Sequence, residues 1–74
     1  MQTIQGGNKM MCKTIKECRE QKNLSIKEMS LLLGINTEEY ERYELYEREM
    51  TILQGVQFAH ITQTPLSEII FFAQ

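Results

Sequence analysis

The sequence has no long apolar run, only two cysteines and no excess of positive charge, and each absence argues against a class of protein. Without about 20 consecutive apolar residues, no segment is expected to span a membrane. No basic start followed by an apolar stretch indicates a secretory signal. Cys12 and Cys18 lie six residues apart and would point in different directions on a helix, so we predict a soluble, reduced, cytoplasmic protein rather than a disulfide scaffold. The formal net charge of -2 and the pI of about 5.3 offer no overall attraction for nucleic acid.

The sequence also has few candidates for catalytic or metal-binding residues. His60 is the single histidine and has no second ligand at helical spacing, so we interpret it as a surface residue. Cys18 falls at a predicted core position, and nothing beside Cys12 indicates a reactive thiolate. No nucleophile, base and orienting group can be assembled, and no glycine loop that could cradle a phosphate is present. We therefore predict that the protein is not an enzyme and uses no metal or cofactor.

The chain divides into a short tail and one domain. Residues 1–10 contain Gly6-Gly7-Asn8 without periodicity and are predicted to be a flexible N-terminal tail, followed by a domain over residues 11–74. The codons for Gln5 to Asn8 can contain a purine-rich ribosome-binding sequence, and Met10 and Met11 follow at a suitable distance. The natural start is therefore either Met10 or Met11, or the segment is an ordinary disordered terminus. The mass of the protein made from its native gene distinguishes the two.

The domain has the pattern of five consecutive helices. The first runs from Cys12 to a stop near Asn23 and turns Ile15 and Cys18 inward. The second begins at the capping box formed by Ser25 and Glu28, buries Met29 and Leu33, and ends at Gly34. We predict no strand, because no stretch alternates strictly enough.

The remaining helices also have recognisable starts. Asn36 caps the third helix, and Tyr40 and Tyr43 both lie on the inner face of that helix. Thr51 caps the fourth, and Thr64-Pro65 opens a short fifth with proline in the first helical position. The apolar residues of the fourth are Ile52, Val56, Phe58, Ala59 and Ile61, and those of the fifth are Leu66, Ile69, Ile70, Phe71 and Phe72.

Two short helices that meet at Leu33-Gly34-Ile35-Asn36 have the form of a helix-turn-helix. From Ile15 to Ile69 the chain resembles the phage Cro/CI repressor family, also called the Xre family. The resemblance needs no insertion or deletion and rests on Ile15, Arg19, Lys22, Leu24-Ser25, Glu28, Leu33-Gly34-Ile35, Arg42, Glu44, Arg48, Thr51, Ala59, Leu66 and Glu68-Ile69. It implies an all-α, compact, five-helix lambda-repressor-like domain. It also implies a regulator that binds operator DNA as a two-fold dimer, with its third helix in the major groove.

Carried over by the resemblance, the candidate DNA contacts are Lys27, Thr37, Glu38, Glu39, Glu41, Arg42 and Arg48. The same resemblance implies a structural ion pair between Arg19 and Glu44. The departures from the family pattern lie where DNA would be touched: Ile26 replaces a common glutamine, and both the third helix and the following loop are rich in glutamate. Carboxylates repel phosphates, although glutamate can accept from cytosine N4. Arg42 has two readings, a base contact or a partner for Glu38 at i, i+4 spacing.

Several apolar residues fall where such helices are normally polar, which is typical of a partner surface. They are Ile26, Leu31, Leu32, Leu45, Tyr46 and the C-terminal Ile70-Phe71-Phe72. We predict a homodimer with Ile70, Phe71 and Phe72 at its interface, unless Phe71 or Phe72 folds back onto the core. Two functions stay open. One is a transcriptional regulator that binds operator DNA, and the other is a helix-turn-helix domain that has lost DNA readout and binds protein, such as a modulator of another repressor.

Overall fold

The computed structural model describes residues 12–73, which form four α-helices and one pair of very short strands. The elements in chain order are β1 (Lys13–Thr14), α1 (Ile15–Glu20), α2 (Ile26–Leu33), α3 (Thr37–Glu44), α4 (Ile52–Thr62), a 3-10 turn (Leu66–Glu68) and β2 (Ile69–Ile70). The predicted tail over residues 1–10 and the proposed start at Met10 or Met11 lie outside the described residues.

Each of the four helices begins at a side chain that accepts a hydrogen bond from a backbone amide in the first turn. The predicted caps at Ser25, Asn36 and Thr51 are confirmed. The predicted start of the first helix at Cys12 is wrong: Thr14 is the cap, and it forms a capping box with Glu17. These contacts satisfy amides that have no partner within a helix, and so they fix where each helix begins.

The turns between helices use the left-handed backbone conformation. Gly34 ends α2 with φ of 72°, as predicted from its position. Asn23 has φ of 57° in the turn after α1, which asparagine tolerates better than most residues. Gln63 ends α4 with φ of 54°. Tyr46 has φ of 59° in the turn after α3, so each of the four helices is followed by a residue in this conformation.

The prediction of a fifth helix, and that of no strand, are both wrong. Pro65 has an extended backbone with ψ of 142° and precedes a single 3-10 turn rather than opening an α-helix. The chain then runs parallel to β1, with Lys13 beside Ile69 and Thr14 beside Ile70. A fifth helix would have bonded the backbone groups of Ile69 and Ile70 internally. They instead pair with β1, at the start of the domain.

The core lies where the four helices and β2 meet. Its buried apolar side chains include the six predicted ones, and the full set is Ile15, Cys18, Met29, Leu33, Tyr40, Tyr43, Phe58 and Ile69. Tyr46 connects this core to the start of α1 and to β2. Its hydroxyl accepts from the Ile15 N–H at 3.3 Å and donates to the Ile70 carbonyl oxygen at 2.6 Å. None of the helices within residues 12–73 has the length and apolar character needed to cross a membrane.

Candidate nucleic-acid interface

The connection between α2 and α3 is held by short-range hydrogen bonds. The Gly34 N–H donates to Leu31 and the Ile35 N–H to Ser30, at 3.1 and 3.0 Å, which closes the end of α2. Two residues on, the Asn36 side chain accepts from the Glu39 N–H at 2.8 Å and opens α3. The end of α2 and the start of α3 are thus both capped within the turn.

The outward face of α3 carries two carboxylates and one guanidinium. Tyr40 and Tyr43 are buried and mark the inner side. At about 100° per residue, Glu38 lies opposite them, with Glu41 and Arg42 on either side of it. All three are exposed. A ligand that approaches α3 from solvent therefore meets this mixed set of charges first.

Glu39 is predicted as a DNA contact, but its carboxylate is engaged within the protein. The Tyr43 hydroxyl lies 2.8 Å from Glu39 Oε2 and 2.9 Å from Gln54 Oε1, so its one proton is shared between the two acceptors. Burial, and then the hydrogen bond to Glu39, raise the pKa of Tyr43. Glu39 itself is half-buried. This contact links α3 to the start of α4 and turns the carboxylate away from the outward face.

Glu44 is also engaged, at the other end of α3. Arg19 Nε donates to Glu44 Oε2 at 2.6 Å and Nη2 to Oε1 at 3.3 Å, while Nη1 donates to the Leu24 carbonyl oxygen at 2.8 Å. The two side chains are 10% and 8% exposed. The hydrogen bond to Glu44 raises the pKa of Arg19, so the guanidinium stays charged. The structure thus brings together the two predicted partners, and their contact holds the end of α3 against α1.

The candidate cations lie on the surface of the domain. Lys27, Arg42 and Arg48 are all exposed, as is Thr37 at the start of α3. Within residues 12–73 the Arg19–Glu44 pair is the one salt bridge, so the pairing of Arg42 with Glu38 that their spacing suggests is not formed. The Arg42 guanidinium is therefore available to a ligand.

The start of α2 differs from a simple anion-binding helix end. Ile26 is half-buried and packs against the core, which explains an apolar residue at this position. Ser25 and Glu28 bond to each other's backbone amides at 2.8 and 3.0 Å. Two of the amides that could hold a phosphate are thus occupied, and the Glu28 carboxylate lies beside the others.

Most of the C-terminal residues predicted for a dimer interface make contacts within the domain instead. Ile70 pairs with β1, and the half-buried Phe71 packs on the core with its ring against Gly55. Phe72 is 59% exposed. Exposed apolar side chains that were not predicted as a surface lie on α4, where Ile52 is 89% and Leu53 66% exposed. The signal for them was available, because α4 contains no charged residue.

Comparison with known proteins agrees with this geometry. A family model for the helix-turn-helix matches residues 15–69, which is most of the chain and includes α1 to α4. No curated protein and no solved structure matches the chain. The matched segment begins and ends at the residues that bound the resemblance to the phage repressors. The chain therefore belongs to the helix-turn-helix family of Cro/CI-type DNA-binding regulators.

Proposed function

We propose that the protein is a transcriptional regulator that binds operator DNA as a homodimer, with α3 directed into the major groove. The observation that carries the proposal is the match of a DNA-binding family to residues 15–69, together with an α3 whose outward side chains form no ion pair within residues 12–73. Those side chains are Glu38, Glu41 and Arg42. The family match favours this function over a domain that acts through protein contact alone.

The chemistry of this face fits selective rather than strong binding. In the major groove a carboxylate can accept from the amino group of cytosine or adenine, and arginine can donate to guanine. Glu38 and Glu41 therefore restrict which bases are tolerated opposite α3. The same carboxylates repel the phosphate backbone, which lowers affinity for every sequence.

Three of the exposed cations in each subunit are candidates for phosphate contact: Lys27, Arg42 and Arg48. Each phosphate neutralised contributes roughly -0.9 to the slope of log K against log salt, so a dimer should show a slope no steeper than roughly -5. The experiment is a titration of the full chain with duplex DNA from upstream of its own gene and with a shuffled duplex, at several salt concentrations. We expect tighter binding to the upstream duplex and weak binding to the shuffled one. Equal affinity for both duplexes would contradict operator binding.

The outward carboxylates provide a sharper test. Replacement of Glu38 and Glu41 by glutamine removes two negative charges from the α3 face and should strengthen binding to shuffled duplex by about threefold to tenfold at low salt, since about 1.4 kcal/mol is tenfold in affinity. The matched control replaces Glu20 and Glu68, which are also exposed but lie outside α3. Both variants change the net charge equally, so a larger effect of the first pair places the DNA at α3. If neither pair changes DNA binding, the proposed interface is wrong.

A further inference from the structure

Tyr46 holds a backbone conformation that a tyrosine rarely adopts. It follows the last turn of α3 with φ of 59°, in the left-handed region where glycine is the usual residue and a bulky side chain is an outlier. Its N–H donates to the Tyr43 carbonyl oxygen at 3.1 Å, and the Glu47 N–H donates to the Arg42 carbonyl oxygen at 2.9 Å. Glycine would close the same turn with less strain. The turn alone therefore gives no reason for a tyrosine, and the reason lies in its side chain.

The Tyr46 side chain joins three parts of the domain. Its ring packs against the core. Its hydroxyl accepts from the Ile15 N–H in the first turn of α1 and donates to the Ile70 carbonyl oxygen in β2. The first amides of a helix have no partner within that helix, so the hydroxyl satisfies one of them. Tyr46 is thus fixed by α3 at its backbone and by α1 and β2 at its hydroxyl.

Three exposed residues separate Tyr46 from the next side chain that packs on the core. They are Glu47, Arg48 and Glu49, and none of them forms an ion pair within residues 12–73. Beyond them, the partly buried Met50 packs against the core. The loop is therefore anchored at Tyr46 on one side and at Met50 on the other, with Arg48 at its middle.

We propose that Tyr46 is a positioning residue for DNA binding, whose hydroxyl contacts hold the loop after α3 so that Arg48 meets a phosphate. The inference rests on the proposed function for the role of Arg48 and assigns the residue that orders its loop. A strained backbone persists only where its surroundings impose it, and such positions concentrate at functional sites. A loop that is ordered before binding loses less entropy when DNA binds, which increases affinity.

A purely structural role for Tyr46 makes a different prediction. Loss of the hydroxyl would then lower the free energy of unfolding, but the loop of the folded molecule would stay as ordered as before. A positioning role requires that the loop becomes mobile while the rest of the domain stays folded. The motion of the loop in the folded protein therefore separates the two roles, whereas stability alone does not.

The first test is NMR relaxation of the full chain without DNA. Rigid backbone amides have order parameters of about 0.85 and flexible ones fall below about 0.6. We expect the amides of Glu47, Arg48 and Glu49 to be rigid in the unaltered chain and flexible in Tyr46→Phe, while the amides of α2 and α4 stay rigid in both. A loop that is equally ordered in the two proteins would overturn the proposal.

The matched control for this test is Thr62→Val. It also removes a hydroxyl that donates to a backbone carbonyl oxygen, that of Phe58 at 2.8 Å, but this bond lies within α4. We expect the loop after α3 to stay rigid in this variant. Circular dichroism shows whether each variant is folded. If Tyr46→Phe is not, the comparison is made in the Gly55→Ala background, which increases the helix propensity of α4.

The second test connects the loop to DNA through a double-mutant cycle. In the unaltered chain, Arg48→Gln should weaken binding to the upstream duplex and reduce the salt slope by roughly 0.9 for each subunit bound. In the Tyr46→Phe background the same substitution should weaken binding at least about threefold less, because a mobile loop already places Arg48 poorly. In the Thr62→Val background it should have its full effect. Equal effects of Arg48→Gln with and without the Tyr46 hydroxyl would show that the two residues act independently and would overturn the positioning role.

Failure of this inference is distinguishable from failure of the proposed function. If the unaltered chain binds the upstream and shuffled duplexes equally, operator binding is wrong and the role of Arg48 is wrong with it. If the unaltered chain prefers the upstream duplex but the loop stays ordered in Tyr46→Phe, operator binding stands and only the role of Tyr46 is wrong.

Discussion

At the scale of single residues, the Arg19–Glu44 pair is the contact whose disruption should destabilise the fold most. Both side chains are buried, and Arg19 also bonds to the Leu24 carbonyl oxygen. Removal of one partner of a buried ion pair leaves an uncompensated charge and costs about 3–5 kcal/mol. Arg19→Met should therefore lower the free energy of unfolding by that amount, as measured by urea denaturation followed by circular dichroism.

The control for this prediction removes both charges. Arg19→Met combined with Glu44→Leu leaves no unpaired charge in the core, so the double variant should recover a large part of the lost stability. If the double variant is no more stable than Arg19→Met, the loss comes from packing rather than from the orphaned carboxylate.

Tyr46, which is half-buried, and Tyr40, which is buried, should respond in opposite ways to loss of the hydroxyl. The Tyr46 hydroxyl bonds to the backbone of Ile15 and Ile70, so Tyr46→Phe should destabilise the domain by about 1–3 kcal/mol. The Tyr40 hydroxyl is buried without a hydrogen bond, although it lies beside the Arg19–Glu44 pair. Tyr40→Phe should therefore leave the melting temperature unchanged or raise it. A fall as large as that of Tyr46→Phe would show that the Tyr40 hydroxyl is bonded.

At the scale of helices and turns, most local signals in the sequence were reliable, and the exception was Thr64-Pro65, which is followed by a 3-10 turn rather than by an α-helix. Ser25 with Glu28, Asn36 and Thr51 each predicted a helix start, and Gly34 predicted a helix end. These signals work because the side chain bonds to the backbone only three residues away. The same reasoning applied to Thr14 and Glu17 would have placed the start of α1 correctly.

The sequence could not predict features that depend on distant partners. Strands of two residues have no periodicity, and β1 pairs with β2 across more than fifty residues. The buried side of α4 was equally hard to predict, because its exposed side mixes the apolar Leu53 and Val56 with the polar Gln57 and His60 and has no acid, lysine or arginine to mark it. At the candidate nucleic-acid interface, the number of glutamates was evident from the sequence. The engagement of Glu39 with Tyr43 depends on a contact with α4 that the sequence does not indicate.

The two glycines within the helical region should respond oppositely to alanine. Gly34 has φ of 72° with open space around its Cα, so Gly34→Ala should destabilise the domain by about 1 kcal/mol through backbone strain alone. Gly55 lies inside α4, where a Cβ would touch the Phe71 ring at 3.4 Å without a clash. Gly55→Ala should stabilise the domain by about 0.5–1 kcal/mol through helix propensity. Thermal melts measure the change in stability of each variant. A change of the melting temperature in the same direction for both variants would contradict the roles assigned to the two glycines.

At the scale of the whole molecule, the tyrosines predict sensitivity to alkali. Burial raises the pKa of Tyr40, Tyr43 and Tyr46, with the Glu44 contact adding to the shift at Tyr40 and the Glu39 contact at Tyr43. Burial likewise raises the pKa of Cys18. The unfolded chain then loses these protons at lower pH than the folded one, starting near the ordinary pKa values of about 8.5 for cysteine and 10 for tyrosine. Stability is therefore fully present below these values and falls as the pH rises above them.

We expect the melting temperature to stay level between about pH 7 and 8 and to fall steadily above about pH 9. Tyr40→Phe should reduce the fall, because it removes the tyrosine with the largest shift. A melting temperature that is the same at neutral pH and well above pH 10 would show that these side chains ionise as easily in the folded state as in the unfolded one.

The parallel pairing of β1 with β2 also determines how the domain bears mechanical load. A force that pulls Cys12 away from Ala73 acts on the leading end of β1 and on the trailing end of β2. In parallel strands those two ends lie at opposite ends of the ladder, so the strands must slide past each other and their hydrogen bonds are strained together. The tension also passes from Ile70 through the Tyr46 hydroxyl to the loop that follows α3. Tyr46 thus connects the C-terminal end of the domain to the loop after the helix that we propose faces DNA.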